Sequence, residues 1–96
     1  MSEIDHSHYK QGGIQPIDYI ESNDLNFNEG SIVKYVTRWC FKNGAQDICK
    51  IIHYGLLLLN EYFGVPKGVI DNIMVQLEPY NKKELKTTKD VKRSRR

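Results

Sequence analysis

Two runs of helical apolar spacing meet at Asn43-Gly44, and that break constrains the fold more than any other feature. Before it, Ile32, Val33, Val36, Trp39 and Cys40 fall on one helical face. After it, Ile48, Ile51, Ile52, Gly55, Leu56, Leu59 and Phe63 do the same. Asn28 reads as the N-cap of the first run, with Glu29 in the first turn where a negative charge suits the helix dipole. Gly44 suits the left-handed residue that ends a helix. The pattern predicts helices over Glu29–Asn43 and Ala45–Phe63, joined by a short turn into an αα-hairpin.

Two shorter helices flank the pair. Pro16 fits a first-turn position, and Pro16–Ser22 presents Ile17 and Ile20 to the core. Phe27 is placed to staple the following helix from just before its cap. Gly64 stops the second long helix. Pro66–Leu77 then carries Val69, Ile70, Ile73, Met74 and Leu77 on one side. No segment alternates as a strand does, so the fold class is all-α: a small helical bundle on a central αα-hairpin, spanning residues 1–80.

Charge separates the body from a tail. From Lys82 to Arg96 eight basic and two acidic residues give +6, which leaves −4 over residues 1–81. Residues 81–96 lack aromatics and read as a disordered basic tail, so any nucleic-acid or acidic partner belongs to the tail. Cys40 and Cys49 lack metal-ligand spacing and read as buried thiols of a reducing compartment. The N-terminus has no apolar core of a signal peptide, and no apolar run is long enough to span a membrane. A soluble cytoplasmic protein is expected. A core this small makes a homo-oligomer the expected state.

Three constellations could carry chemistry. His8-Tyr9 followed by Gly12-Gly13 can turn backbone N–H groups toward a phosphate; a plain surface turn is the alternative. Asp5, His6 and His8 lie in a loose arm and are not read as a metal site. Lys34 and Arg38, one turn apart, repel each other on an isolated helix, and an anion between them relieves this. The alternative is a solvated face with Glu29 or Asp47 as counter-charge. On the ligand reading, loss of Arg38 abolishes binding and leaves the melting temperature nearly unchanged; a large loss of stability would mark Arg38 as a structural ion-pair partner. Asp47, Lys50 and Tyr54 share a face of the second helix. Asp47 with Lys50 suits an intrahelical ion pair. As function, Asp47 would accept from a sugar hydroxyl or act as a base, Lys50 would add to an anion site, and Tyr54 would stack on a base.

In combination, His8-Tyr9, Ile14-Gln15-Pro16-Ile17-Asp18-Tyr19-Ile20, Phe27-Asn28-Glu29-Gly30, Lys34-Tyr35-Val36-Thr37-Arg38, Lys42-Asn43-Gly44, Asp47, Lys50 and Tyr54 resemble a family of small bacteriophage proteins of unknown function. That family is related to part of the T7-type phage nucleotide kinase, which lacks a P-loop. Ser31, Gln46, Ile51, Ile52 and Gly55 depart from its usual pattern. The resemblance implies a nucleotide or another phosphorylated small molecule as ligand. His8, Tyr9, Lys34, Arg38, Lys50 and Tyr54 would then bind it, with Asp47 as the catalytic candidate and a host cell's cytoplasm as the location. Nucleoside monophosphate phosphorylation is one activity it implies. Non-catalytic sequestration of a nucleotide immune signal, or inhibition of a host protein, are the alternatives.

Overall fold

The computed structural model describes residues 13–83, 85 and 87. Among them are four α-helices and no strand: α1 Pro16–Ser22, α2 Phe27–Arg38, α3 Ala45–Phe63 and α4 Lys67–Leu77. The helices α2 and α3 form the expected hairpin. α1 packs on α2, and α4 lies on α3. The all-α class read from the pattern is the one observed, and α1 and α3 carry the bounds read from it.

The start of α2 differs from expectation. Asn26 is the N-cap, not Asn28. Its Oδ1 accepts the Glu29 N–H at 2.8 Å, and a Glu29 carboxylate oxygen accepts the Asn26 N–H at 3.0 Å. This capping box satisfies two N–H groups that would otherwise lack partners. It also places Phe27 inside the first turn, 76% exposed, so Phe27 is no staple.

The end of α2 differs too. The helix stops at Arg38 and tightens into a 3-10 turn, Trp39–Phe41. Gly44 is not a left-handed cap. With φ 54° and ψ −127° it is the residue before α3, a backbone conformation that favours glycine. The left-handed cap is Gly64, where the Val65 N–H reaches back to the Leu59 carbonyl at 3.3 Å.

The contact of α1 with α2 rests on Gly30. A Cβ added there would lie 3.1 Å from Ile20 Cγ2, so the small residue lets the helices approach. At the other end of the body the chain does not leave at Asn81. A 3-10 turn at Glu78–Tyr80 is followed by the Asn81 N–H on the Glu78 carbonyl and the Lys82 N–H on that of Tyr80. The Lys83 carbonyl comes within 3.8 Å of where a Gly44 side chain would begin. Most of the expected disordered tail lies outside the described residues.

The core is smaller than the periodicity implied. Among the described residues Cys49 and Ile70 are the buried hydrophobic side chains. Cys40, expected to be buried, is intermediate. Val36, Ile48, Ile52, Leu59, Phe63 and Val69, all read as core-facing, are exposed. A helical apolar stripe records what can be buried, not whether this chain supplies the cover.

Candidate functional site

The site grows from the turn that closes the hairpin. α2 ends with Arg38, and α3 begins two residues before Asp47, so the two side chains meet across the turn. Arg38 Nε donates to Asp47 Oδ2 and Nη2 to Oδ1, both at 3.1 Å. The Asn43 N–H also donates to Oδ2 at 3.2 Å. Asp47 is fully buried, and the Arg38 side chain is 12% exposed. Asp47 therefore does not pair with Lys50 as the i, i+3 spacing suggested. Arg38 has Asp47 as its counter-charge, as the alternative reading had it, and that carboxylate is buried. Parallel fork contacts of this kind are the stronger form of charge-assisted hydrogen bond.

One turn back, Tyr35 collects cations. Arg38 Cζ lies 4.6 Å from its ring centroid, Lys50 Nζ 5.0 Å and Lys34 Nζ 5.3 Å. Each contact is favourable with the ring's negative face. The three cations repel one another, however. Lys34 and Lys50 are no farther apart than about 10 Å, since each lies about 5 Å from the same point. Among the described residues neither has a carboxylate within ion-pair distance. Glu29, the other counter-charge considered, is engaged in the capping box.

Aromatic rings continue the surface. Tyr54 stacks parallel to Tyr35 with centroids 6.0 Å apart and an interplanar angle of 9°. Phe27 meets Tyr54 edge-on at 5.8 Å, and the His53 ring lies 6.0 Å from Tyr54. Beside them, between α1 and α2, is an open cleft of about 230 Å³ lined by Ile20, Leu25, Asn26, Phe27, Gly30, Ser31 and Lys34. Lys34 belongs to both the cleft and the cation group.

The structure thus gathers Lys34, Arg38, Lys50 and Tyr54 around one ring and buries Asp47 behind them. His8 and Tyr9 lie outside the described residues, as do Asp5 and His6. Tyr35, Phe27 and the cleft residues other than Lys34 were not named as site residues in the sequence reading. Tyr35 lies between Lys34 and Arg38 and one turn from the latter, which is the signal that could have found it. Among the described residues no group of His, Cys, Asp and Glu could hold a metal ion, and no helix is long and apolar enough to cross a membrane. Burial pushes the Cys49 thiol above its ordinary range.

Residues 5–55 match the DUF3310 family, described as a protein of unknown function. The match spans α1, α2, the turn and the first half of α3, and so includes the whole cation group. The chain belongs to this family. No curated protein and no solved structure matches the chain.

Proposed function

We propose that this protein binds a phosphorylated small molecule of the nucleotide class. The observation that carries the reading is the convergence of Lys34, Arg38 and Lys50 on the Tyr35 ring where, among the described residues, the carboxylate within ion-pair distance is the one on Arg38. An anion seated there relieves the repulsion between the two lysines. Asp47 fixes the orientation of the Arg38 guanidinium, so its positive charge stands pre-ordered beside the two lysines. The cleft beside Lys34 is apolar at Ile20, Leu25 and Phe27, which suits the flat organic part of the ligand. Its volume sits below the usual range for drug-sized ligands, about 300–1,000 Å³, so it suits one base rather than two.

The kinase relationship that the sequence resemblance implies would make phosphoryl transfer the finer form of this reading. That reaction depends on positioning and charge neutralisation, which a cationic site supplies. Asp47 would then act by holding Arg38, not by touching substrate, because both its oxygens are engaged. This burial favours the second reading, a non-catalytic binder that sequesters its nucleotide.

Titration calorimetry with inorganic phosphate, nucleoside mono- to triphosphates and cyclic dinucleotides tests both. Binding of mononucleotides at sub-millimolar concentration is expected, weakened about tenfold by Lys34→Ala or Lys50→Ala and by added salt. Those two variants should keep stability within about 0.5 kcal/mol. No ligand in the panel, or binding indifferent to both lysines, overturns the proposal. Formation of diphosphates from ATP and a nucleoside monophosphate separates the kinase form from the sequestering form.

A further inference from the structure

The nineteen residues of α3 carry a second pattern that the cation site does not use. Ile48, Ile52, Gly55, Leu59 and Tyr62 recur at alternating spacings of four and three, the seam of a helix that packs along another helix. Ile48, Ile52, Leu59 and Tyr62 are each more than a third exposed, and Phe63 beside them is 79% exposed. None of these residues is charged. At about 100° per residue, Lys50 lies on nearly the opposite side of α3 from this seam.

We propose that this seam is where a second copy of the chain docks, with the two α3 helices antiparallel and crossing at Gly55. The register is self-complementary. Gly55 is one residue past the middle of α3, and a two-fold axis through it sets Ile48 opposite Tyr62 and brings Ile52 to within one residue of the level of Leu59. Gly55 itself needs such a partner. Glycine weakens the middle of a helix relative to alanine, and here a Cβ would meet nothing within 4 Å inside the chain. A close crossing of two backbones gives the missing side chain a reason.

The remainder of the chain is poorly suited to cover the seam. Residues 1–12 carry Met1, Ile4 and Tyr9 among polar neighbours, and residues 88–96 carry Val91 alone among five basic residues. The docking also answers the shortage of core, since Cys49 and Ile70 are the buried hydrophobic side chains among the described residues. Because Lys50 faces away, the two cation sites stay apart, and each copy keeps a complete site of its own. The inference stands independently of what that site binds.

Sedimentation and light scattering of the full chain should give a dimer. Ile52→Glu and Leu59→Glu should each weaken dimerisation by about tenfold or more while the helical circular dichroism persists. Gly55→Cys should form a disulfide-linked dimer on a non-reducing gel well above the background from Cys40 and Cys49. That arm still decides the matter if the glutamate variants fail to fold. A native chain that stays monomeric at every concentration overturns the proposal. So does a dimer untouched by both glutamate variants that Gly55→Cys does not trap. A monomer that dimerises once residues 1–12 are removed would give the seam to the N-terminal segment instead, and would also overturn it.

Discussion

The two ends of the α2–α3 hairpin are fastened in opposite ways. At the closed end, beside the turn, Arg38 and Asp47 make a buried two-point ion pair, and a backbone N–H completes the carboxylate's contacts. At the open end, Asn26 Nδ2 donates one hydrogen bond to Tyr62 Oη at 3.2 Å on the exposed surface. The cleft opens at the weakly fastened end, beside Asn26 and Phe27, and the cation group extends from it toward the strongly fastened one. On the proposed reading, the difference teaches where a ligand would be admitted. The rigid end fixes one guanidinium, and the looser end leaves room for the rest of a molecule.

Removing the closed-end fastening is the harshest way to break this contrast. Asp47→Ala leaves Arg38 mostly buried without its carboxylate, and loss of one partner of a buried pair costs about 3–5 kcal/mol. For a domain whose whole stability is about 5–15 kcal/mol, that is a large share. The expected outcome is a sharply lower midpoint in urea unfolding followed by circular dichroism. A midpoint within error of the native chain would mean that the pair does not hold the hairpin.

The open end should be far more tolerant. Asn26→Ala removes the N-cap of α2 and the bond to Tyr62 together, and loss of such a cap costs about 1 kcal/mol. The same urea experiment reads it. A loss equal to that of Asp47→Ala would erase the distinction between the two ends.

Much of this contrast lay beyond sequence reading, for reasons that can be named. The bounds of α1 and α3 were legible because Pro16 sets a first turn and Gly64 a left-handed stop. The start of α2 was legible as well but misassigned. Asn26 precedes Glu29 by three, the spacing of a capping box, whereas Asn28 is only a good cap by residue type. The early end of α2 had no local signal, since Trp39-Cys40-Phe41 continues the helical spacing. The pairing of Arg38 with Asp47 crosses a turn at a separation of nine, outside the i+3 and i+4 neighbours that define a helix face. Lys34, Lys50 and Tyr54 were named from the sequence, but their common centre, Tyr35, appeared only once the helices were folded together. The seam on α3 was legible as apolar and illegible as uncovered.

The smallest expected effect sharpens the contrast from the side of the closed end. Cys49 lies two residues past Asp47, is 4% exposed, and its thiol is held above the ordinary value because burial disfavours the thiolate. An unfolded chain loses that proton once pH passes 9.0, while the folded chain keeps it. The unfolded state then binds fewer protons, so stability must fall as pH rises. The contribution is whole below pH 9.0 and fades toward the folded thiol's own titration, at no more than about 1.4 kcal/mol per pH unit. The useful quantity is the difference between the native chain and Cys49→Ala, in which whatever the two chains share cancels. Thermal melts from pH 8 upward should show the variant less stable at the start and the gap narrowing as pH climbs. Parallel curves would mean that the thiol ionises as freely in the folded chain as in the unfolded one, and that the closed end admits water to its core.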